Sequence, residues 1–153
     1  MEEKEKEKVF RITLKESQMR RLIYAADVVS RLICGQMTDF QDICEGAYDR
    51  HHKNDGEKST IGTPGWWDAR HDLEEKLKDI KMLCWKLGTA SNYGIHYDDF
   101  SDSLFDMRKS MEKARYDAFD EEHKELMRWT VMRNGPMGLD KDGPIKVEFV
   151  DQK

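Results

Sequence analysis

Two long segments repeat their apolar side chains at intervals of three and four, and this periodicity restricts the chain to helices packed side by side. In the first, Trp66, Arg70, Leu73, Leu77, Ile80, Cys84 and Leu87 share one stripe. Gly88 is placed to end that helix in a left-handed turn. The second segment begins at Ser101, whose hydroxyl suits a cap, with Asp102 at the positive end of the dipole. It is predicted to reach about Met132, with Leu104, Met107, Met111, Ala114 and Ala118 as its stripe. A further helix is predicted from Glu16 to Ile33 on Met19, Leu22, Ile23, Ala26, Val29 and Ile33; its other side carries Arg20, Tyr24, Asp27 and Arg31. Gly35 interrupts the pattern. A shorter helix, about Met37 to Tyr48, then gathers Phe40, Ile43, Cys44 and Ala47.

The two ends read differently. Val9 to Leu14 and Ile145 to Val150 alternate apolar and polar residues, as strands do, and two isolated strands need each other to be stable. The expected fold class is therefore α+β, mainly helical, with a small antiparallel ribbon formed by the N- and C-terminal strands. A charged leader is expected over residues 1–8, and a single domain over residues 9–153. Asp49 to Pro64, poor in apolar side chains and containing Asn54-Asp55-Gly56, reads as a mobile loop or an excursion that orders on binding, of the kind that often acts as a lid.

With 38% apolar and 37% charged residues the chain suits a helix-rich globular domain, and no stretch of it reads as a membrane span. A net charge of −5 argues against a DNA or RNA polymer as partner, because affinity for a polyanion comes from basic surface. Cys34, Cys44 and Cys84 form no Cys-x-x-Cys and are odd in number, which suggests reduced, buried thiols in a cytoplasm.

Between the two long helices lies Ser91-Asn92-Tyr93-Gly94-Ile95-His96, a polar and aromatic turn, and the helix after it carries Arg108 and Arg115 beside its apolar stripe. A guanidinium stem laid along apolar surface needs an anion at its head. Asp106, Glu112 and Asp117 are near in sequence; an external carboxylate or phosphate is the alternative.

The run Asn92-Tyr93-Gly94-Ile95-His96 is followed by Ser101-Asp102-Ser103 and a helix reaching Arg115, with Ser30-Arg31-Leu32 and Gly35-Gln36 upstream. From about Val9 to about Arg115 this pattern resembles the phage anti-Thoeris sponge proteins. One departure is Tyr97-Asp98-Asp99-Phe100, where a proline-containing turn is expected and two acids would oppose phosphate. The resemblance implies a non-enzymatic protein of the host bacterial cytoplasm that captures a cyclic ADP-ribose-type signal, in some members with cyclic di- or trinucleotides at a separate site. It also implies a homo-oligomer, a dimer or a hexamer. No cofactor and no metal are called for.

Such a ligand needs a flat surface for its purine, an amide for the base edge and cations for its phosphates. Tyr93 offers the ring, Asn92 the amide, and Gly94 a backbone that a ligand can approach closely. Arg108 and Arg115, with Arg31 or Arg20 from the first helix, offer the charge, and Trp85 a second stacking wall. Each has a plainer reading: packing for Trp85 and Tyr93, turn formation for Asn92, and ion pairs for the arginines. Two other functions suit other residues of the chain. An inhibitor of a host factor would act through the acidic run Asp117, Asp120, Glu121, Glu122 and Glu125; a small hydrolase would use His96 beside Asp98 and Asp99. Zinc at Cys34, Cys44, His51 and His52 matches no common ligand spacing.

Overall fold

The structure, a computed structural model, describes residues 10, 12–54, 56, 59–88, 91–128 and 130–148. Among them, in order, run α1 (Glu16–Ile33), α2 (Thr38–His52), α3 (Pro64–Trp85), α4 (Asp99–Asp117), α5 (Glu121–Leu126) and a 3-10 turn (Val131–Arg133). None of these helices is long and apolar enough to cross a membrane.

α1 occupies the span that its periodicity predicts. The Gln18 side chain accepts from the Lys15 amide at 2.8 Å and closes its start. Gly35, at φ 76°, closes its end, where the amides of Gly35 and Gln36 turn back to Leu32 O and Arg31 O, each at 2.9 Å. A Cβ on Gly35 would stand 3.2 Å from Trp85 Cγ and 3.3 Å from Leu87 Cδ1. Gly35→Ala is therefore expected to cost about 1–2 kcal/mol. By contrast Gly46→Ala, helical and with only ordinary contact at 3.5 Å, should stabilise by about 0.5–1 kcal/mol. Urea midpoints at unchanged slope would measure both.

The ends of α3 and α4 differ from the sequence expectation. α3 starts at Pro64, capped by Thr63 Oγ1, which accepts from Trp66 N at 3.3 Å. It stops at Trp85, not at Gly88, and Lys86 takes the left-handed turn at φ 55°. The Trp85 indole donates to Ile33 O at 2.8 Å, so the chain must turn where that ring is docked. α4 is capped by Asp98, whose carboxylate accepts from Ser101 N at 3.0 Å. This leaves the buried Ser101 hydroxyl to donate to Ser30 O at 3.0 Å. α4 then ends at Asp117, well before Met132, because Asp120 caps α5 by accepting from His123 N at 2.8 Å.

α1 and α4 lie antiparallel, with Ser30 against Ser101, Asp27 against Arg108 and Glu16 against Arg115. Their seam is polar. Ala26, Ser30, Ser101, Arg108 and Glu112 are buried in it, whereas Leu22 and Val29 from the expected core stripe remain 46% and 40% exposed. On the other side of α4 the fully buried Asp106 accepts from the amides of Met137 (2.7 Å), Leu139 and Asp140 (3.1 Å). Ser103 adds a 2.6 Å bond to Asp140, so the stretch after the 3-10 turn is clasped to α4. α2 and α3 form the second pair. Trp66 and Leu77 are buried, but Ile80 is 43% exposed and Cys84 is exposed, so only the first half of the α3 stripe is covered.

No strand occurs among the described residues, and the expected α+β class with its terminal ribbon is corrected to an all-helical fold. Val9, Arg11, Phe149 and Val150 of the expected strands, and the leader over residues 1–8, lie outside the described residues. Phe10 and Ile12 are exposed, and Ile145 to Glu148 border a groove with Ser110, Lys113, Ala114 and Asp117 of α4. Alternation fixes which side chains share a face; a strand also needs a neighbour to take its amides.

Part of the expected Asp49–Pro64 loop is ordered. α2 continues to His52, and Asp49 Oδ1 accepts from Ser59 Oγ (2.9 Å), Thr60 N (2.5 Å) and Thr60 Oγ1 (2.9 Å). The Thr60 amide foremost, then the two hydroxyls, holds the Asp49 carboxyl below the usual aspartate range. Because the folded value is lowered, this anchoring is fully present above the ordinary value of 3.8 and is lost as the pH falls through the folded one. Hydrogen exchange at Thr60, corrected for the intrinsic rate, should stay slow down to roughly pH 4 and accelerate below it. Asp49→Asn should flatten that dependence.

Candidate functional site

Carbonyls at the C-terminal end of α1 and at its cap, Cys34, draw three segments to one end. Ser30 O accepts from Ser101 Oγ, Ile33 O from Trp85 Nε1, and Cys34 O from Tyr93 N at 2.9 Å. The start of α4, the end of α3 and the turn between them therefore meet at a single point.

Tyr93 is held at both ends, since its hydroxyl also donates to Trp85 O at 3.2 Å. Its ring lies parallel to that of Tyr97, with centroids 4.0 Å apart and 1° between the planes. Both rings are partly exposed, at 36% and 45%. Between them His96 adopts φ 67°, and its amide donates to both carboxylate oxygens of Asp102 at 3.0 Å. Nothing stands within 4 Å of where a Gly94 Cβ would be, and Asn92 is exposed. The result is a two-ring aromatic step beside open backbone. Trp85 is the joint beneath this step and not a second wall, because its indole is committed to Ile33 and its ring lies over Gly35.

The arginines are occupied by acids. Arg108 is buried, with Nη1 3.0 Å from Asp27 and 3.3 Å from Glu112, and its guanidinium lies 5.0 Å from the Phe105 ring. Arg31 pairs with Asp27 at 2.9 Å, donates to Gln36 at 3.2 Å and stands 3.6 Å from Asp39. The Asp27 hydrogen bond is the main reason its pKa is raised. Arg115 reaches across to Glu16 at 3.0 Å. Of the acids expected to pair locally, Glu112 does so with Arg108, while Asp106 serves backbone amides and Asp117 pairs with Lys113. Nε of Arg108 and of Arg115 are buried and lack hydrogen-bond partners among the described residues. Arg20 is exposed.

Helix rise separates these groups. From the α4 start beside Tyr93, Arg108 lies about 10 Å along the axis and Arg115 about 20 Å; Arg20 lies about 20 Å from Cys34 along α1. One chain thus brings together Asn92, Tyr93, Gly94 and Trp85, places Arg31 and Arg108 around Asp27 at mid-helix, and leaves Arg20 and Arg115 at the far end.

The sequence reading missed Tyr97 and Asp102. Tyr93-x3-Tyr97 across a tight turn was the available signal for the first; nothing local marks Asp102 as the anchor of His96. His96 itself is largely exposed, with Nδ1 3.5 Å from Asp102, and Asp98, its proposed neighbour in catalysis, is the helix cap. His123 sits on the surface, where its hydrogen bond to Asp120 raises its pKa. Among the described residues no group of three or more His, Cys, Asp or Glu is arranged to hold a metal ion. Comparison of the chain with models of known families, with curated proteins and with solved structures gives no match.

Proposed function

We propose that the protein is a non-enzymatic sponge that holds a cyclic nucleotide signal, of the cyclic ADP-ribose type or a cyclic di- or trinucleotide, without altering it. The observation that carries this reading is the Tyr93–Tyr97 step. Two parallel, partly exposed rings, with Tyr93 tied to Cys34 by its amide and the turn between the rings tied to Asp102 by the His96 amide, offer a preorganised face for a base, with Asn92 next in the chain.

A sponge acts by mass action and so needs nanomolar affinity, about −12 kcal/mol, which a small ligand reaches only in an enclosed site. The step is open in one chain, and a second copy supplies the enclosure. Leu22, Ala25, Val29 and Leu32 recur at heptad-like spacing on a flank of α1, and Leu22 and Val29 there are uncovered. Ile80 and Leu83 of α3 are exposed as well. Copies joined antiparallel along the α1 flank set the Arg20 and Arg115 end of one beside the Tyr93 end of the other, bringing cations to the phosphates. The assembly is a dimer, or a hexamer built from dimers.

Tyr93→Ala is expected to weaken calorimetric binding of a cyclic ADP-ribose isomer by roughly ten- to a hundredfold, as loss of one base stack does. Arg20→Ala should weaken it too, with helix content unchanged in both variants. Undiminished affinity in Tyr93→Ala would remove the step as the site. A second reading has its own observation: Glu121, Glu122 and Glu125 of α5 are exposed, as an acidic inhibitor of a host factor requires. That activity would survive Tyr93→Ala and fall on charge reversal of α5.

A further inference from the structure

α3 packs chiefly against α2, and beyond Leu77 two of its apolar side chains stand open: Ile80 is 43% and Leu83 81% exposed, with the exposed Cys84 beside them. They belong to a second run, Ala69, Leu73, Lys76, Ile80 and Leu83, which lies next to the covered stripe of Trp66, Leu77 and Lys81. Its intervals of four, three, four and three repeat every 3.5 residues, the period of a seam between two helices. Lys76 is paired with Asp72 of its own helix, so its stem can lie along the edge of that seam.

The chain has surface to give up. Its accessible area is 12314 Å², against about 8,100 Å² for a compact monomer of its mass. Residues 1–9 and 149–153 account for at most about 2,500 Å² even at the exposure of an unfolded chain, and the remainder still exceeds a compact body by about 2,000 Å². That excess falls within the area each chain buries in an obligate dimer, about 1,000–2,500 Å².

Charge selects both the occupant and the register. Asp79 and Lys86 flank Ile80 and Leu83 on one side, are exposed, and belong to no ion pair among the described residues. With a second copy laid antiparallel and Ile80 opposite Leu83, each Asp79 comes beside the Lys86 of the other copy, giving two ion pairs by symmetry. A shift that sets Lys76 opposite Ile80 would instead face Asp79 with Asp79. The flank is thus complementary to itself in one register.

We propose that the Lys76, Ile80 and Leu83 flank of α3 is a docking surface for a second copy of this chain. The two helices run antiparallel, Ile80 of each packs on Leu83 of the other, and Asp79 of each pairs with Lys86 of the other. Because one patch serves both partners, this contact closes at two chains. It is separate from the α1 flank and from the Tyr93 step, and does not depend on nucleotide binding.

The test is sedimentation velocity of the full chain over a dilution series, together with the rate at which Cys84 is alkylated by iodoacetamide. In Leu83→Glu, a change at a side chain that the fold leaves bare, the mass of the assembly is expected to fall by half or more and Cys84 to react at least about tenfold faster than in the parent. The added carboxylate by itself would slow that reaction, by disfavouring the thiolate. Val29→Glu, on the α1 flank, should leave Cys84 protected. Asp79→Lys and Lys86→Asp should each weaken association about tenfold, and the double exchange should restore it to within about threefold of the parent. A monomeric parent with Cys84 open would overturn the proposal and leave the flank to a different protein. Unchanged mass in Leu83→Glu, or no restoration in the double exchange, would overturn it as well.

Discussion

Replacing Asp106 with alanine is expected to lower the unfolding free energy by about 3–5 kcal/mol, the range for breaking a buried charged network. The magnitude follows from what the carboxylate holds. Its two oxygens take the amides of Met137, Leu139 and Asp140, and the side chain has no exposed surface through which water could replace them. Asp106→Asn retains one carbonyl oxygen and adds an amide whose protons face other donors, so it should cost about 2 kcal/mol. Urea unfolding gives both values, and hydrogen exchange gives the location, with the amides of 137, 139 and 140 losing protection before those of α1. A loss below about 1 kcal/mol in the alanine variant would mean that the clasp contributes little.

The second large effect lies in the α1–α4 seam. Asp27→Ala is expected to destabilise by about 2–3 kcal/mol, less than for an isolated buried pair because Glu112 still reaches Arg108 and Asp27 is itself partly exposed. Arg108→Met should cost less than Asp27→Ala, since Asp27 keeps Arg31 and Glu112 keeps Lys109 at 3.0 Å. The double variant Asp27→Ala, Arg108→Met should be more stable than the sum of the single losses, with a coupling of about 1–2 kcal/mol. Additive losses would show that Arg108 is not held by Asp27. The same cycle bears on function. A guanidinium held by two acids and nearly sealed from solvent is a packing element of the seam, and the charge a phosphate would meet comes from elsewhere.

How much of this was legible in the sequence varies from one element to the next, for physical reasons. α1 was readable to its ends because its apolar periodicity and the interruption at Gly35 lie within the helix and the turn that closes it. The start of α4 was not, because Asp98 and Ser101 can both cap a helix, and the choice rests on Ser101 being claimed by Ser30 across the seam. The ribbon failed for the same reason, since alternation in Ile145 to Val150 says nothing of the pull that Asp106 exerts on the preceding residues. At the site, the turn around Tyr93 was legible as polar, aromatic and glycine-bearing. Its partner Tyr97 and its anchors Cys34 and Asp102 become visible only once the chain is folded. Arg108 looked available because local acids were considered first, and its shortest ion pair comes from another helix.

The measurement that bears most directly on sequestration is recovery of bound ligand. The full chain is mixed with a limiting amount of a cyclic ADP-ribose isomer or a cyclic di- or trinucleotide, freed of unbound ligand and denatured by heat. The supernatant is then identified by chromatography and mass spectrometry. The expected result is near-stoichiometric return of intact ligand from the parent chain and little from Tyr93→Ala. A hydrolysed product, or no ligand carried through by the parent chain, would contradict a sponge.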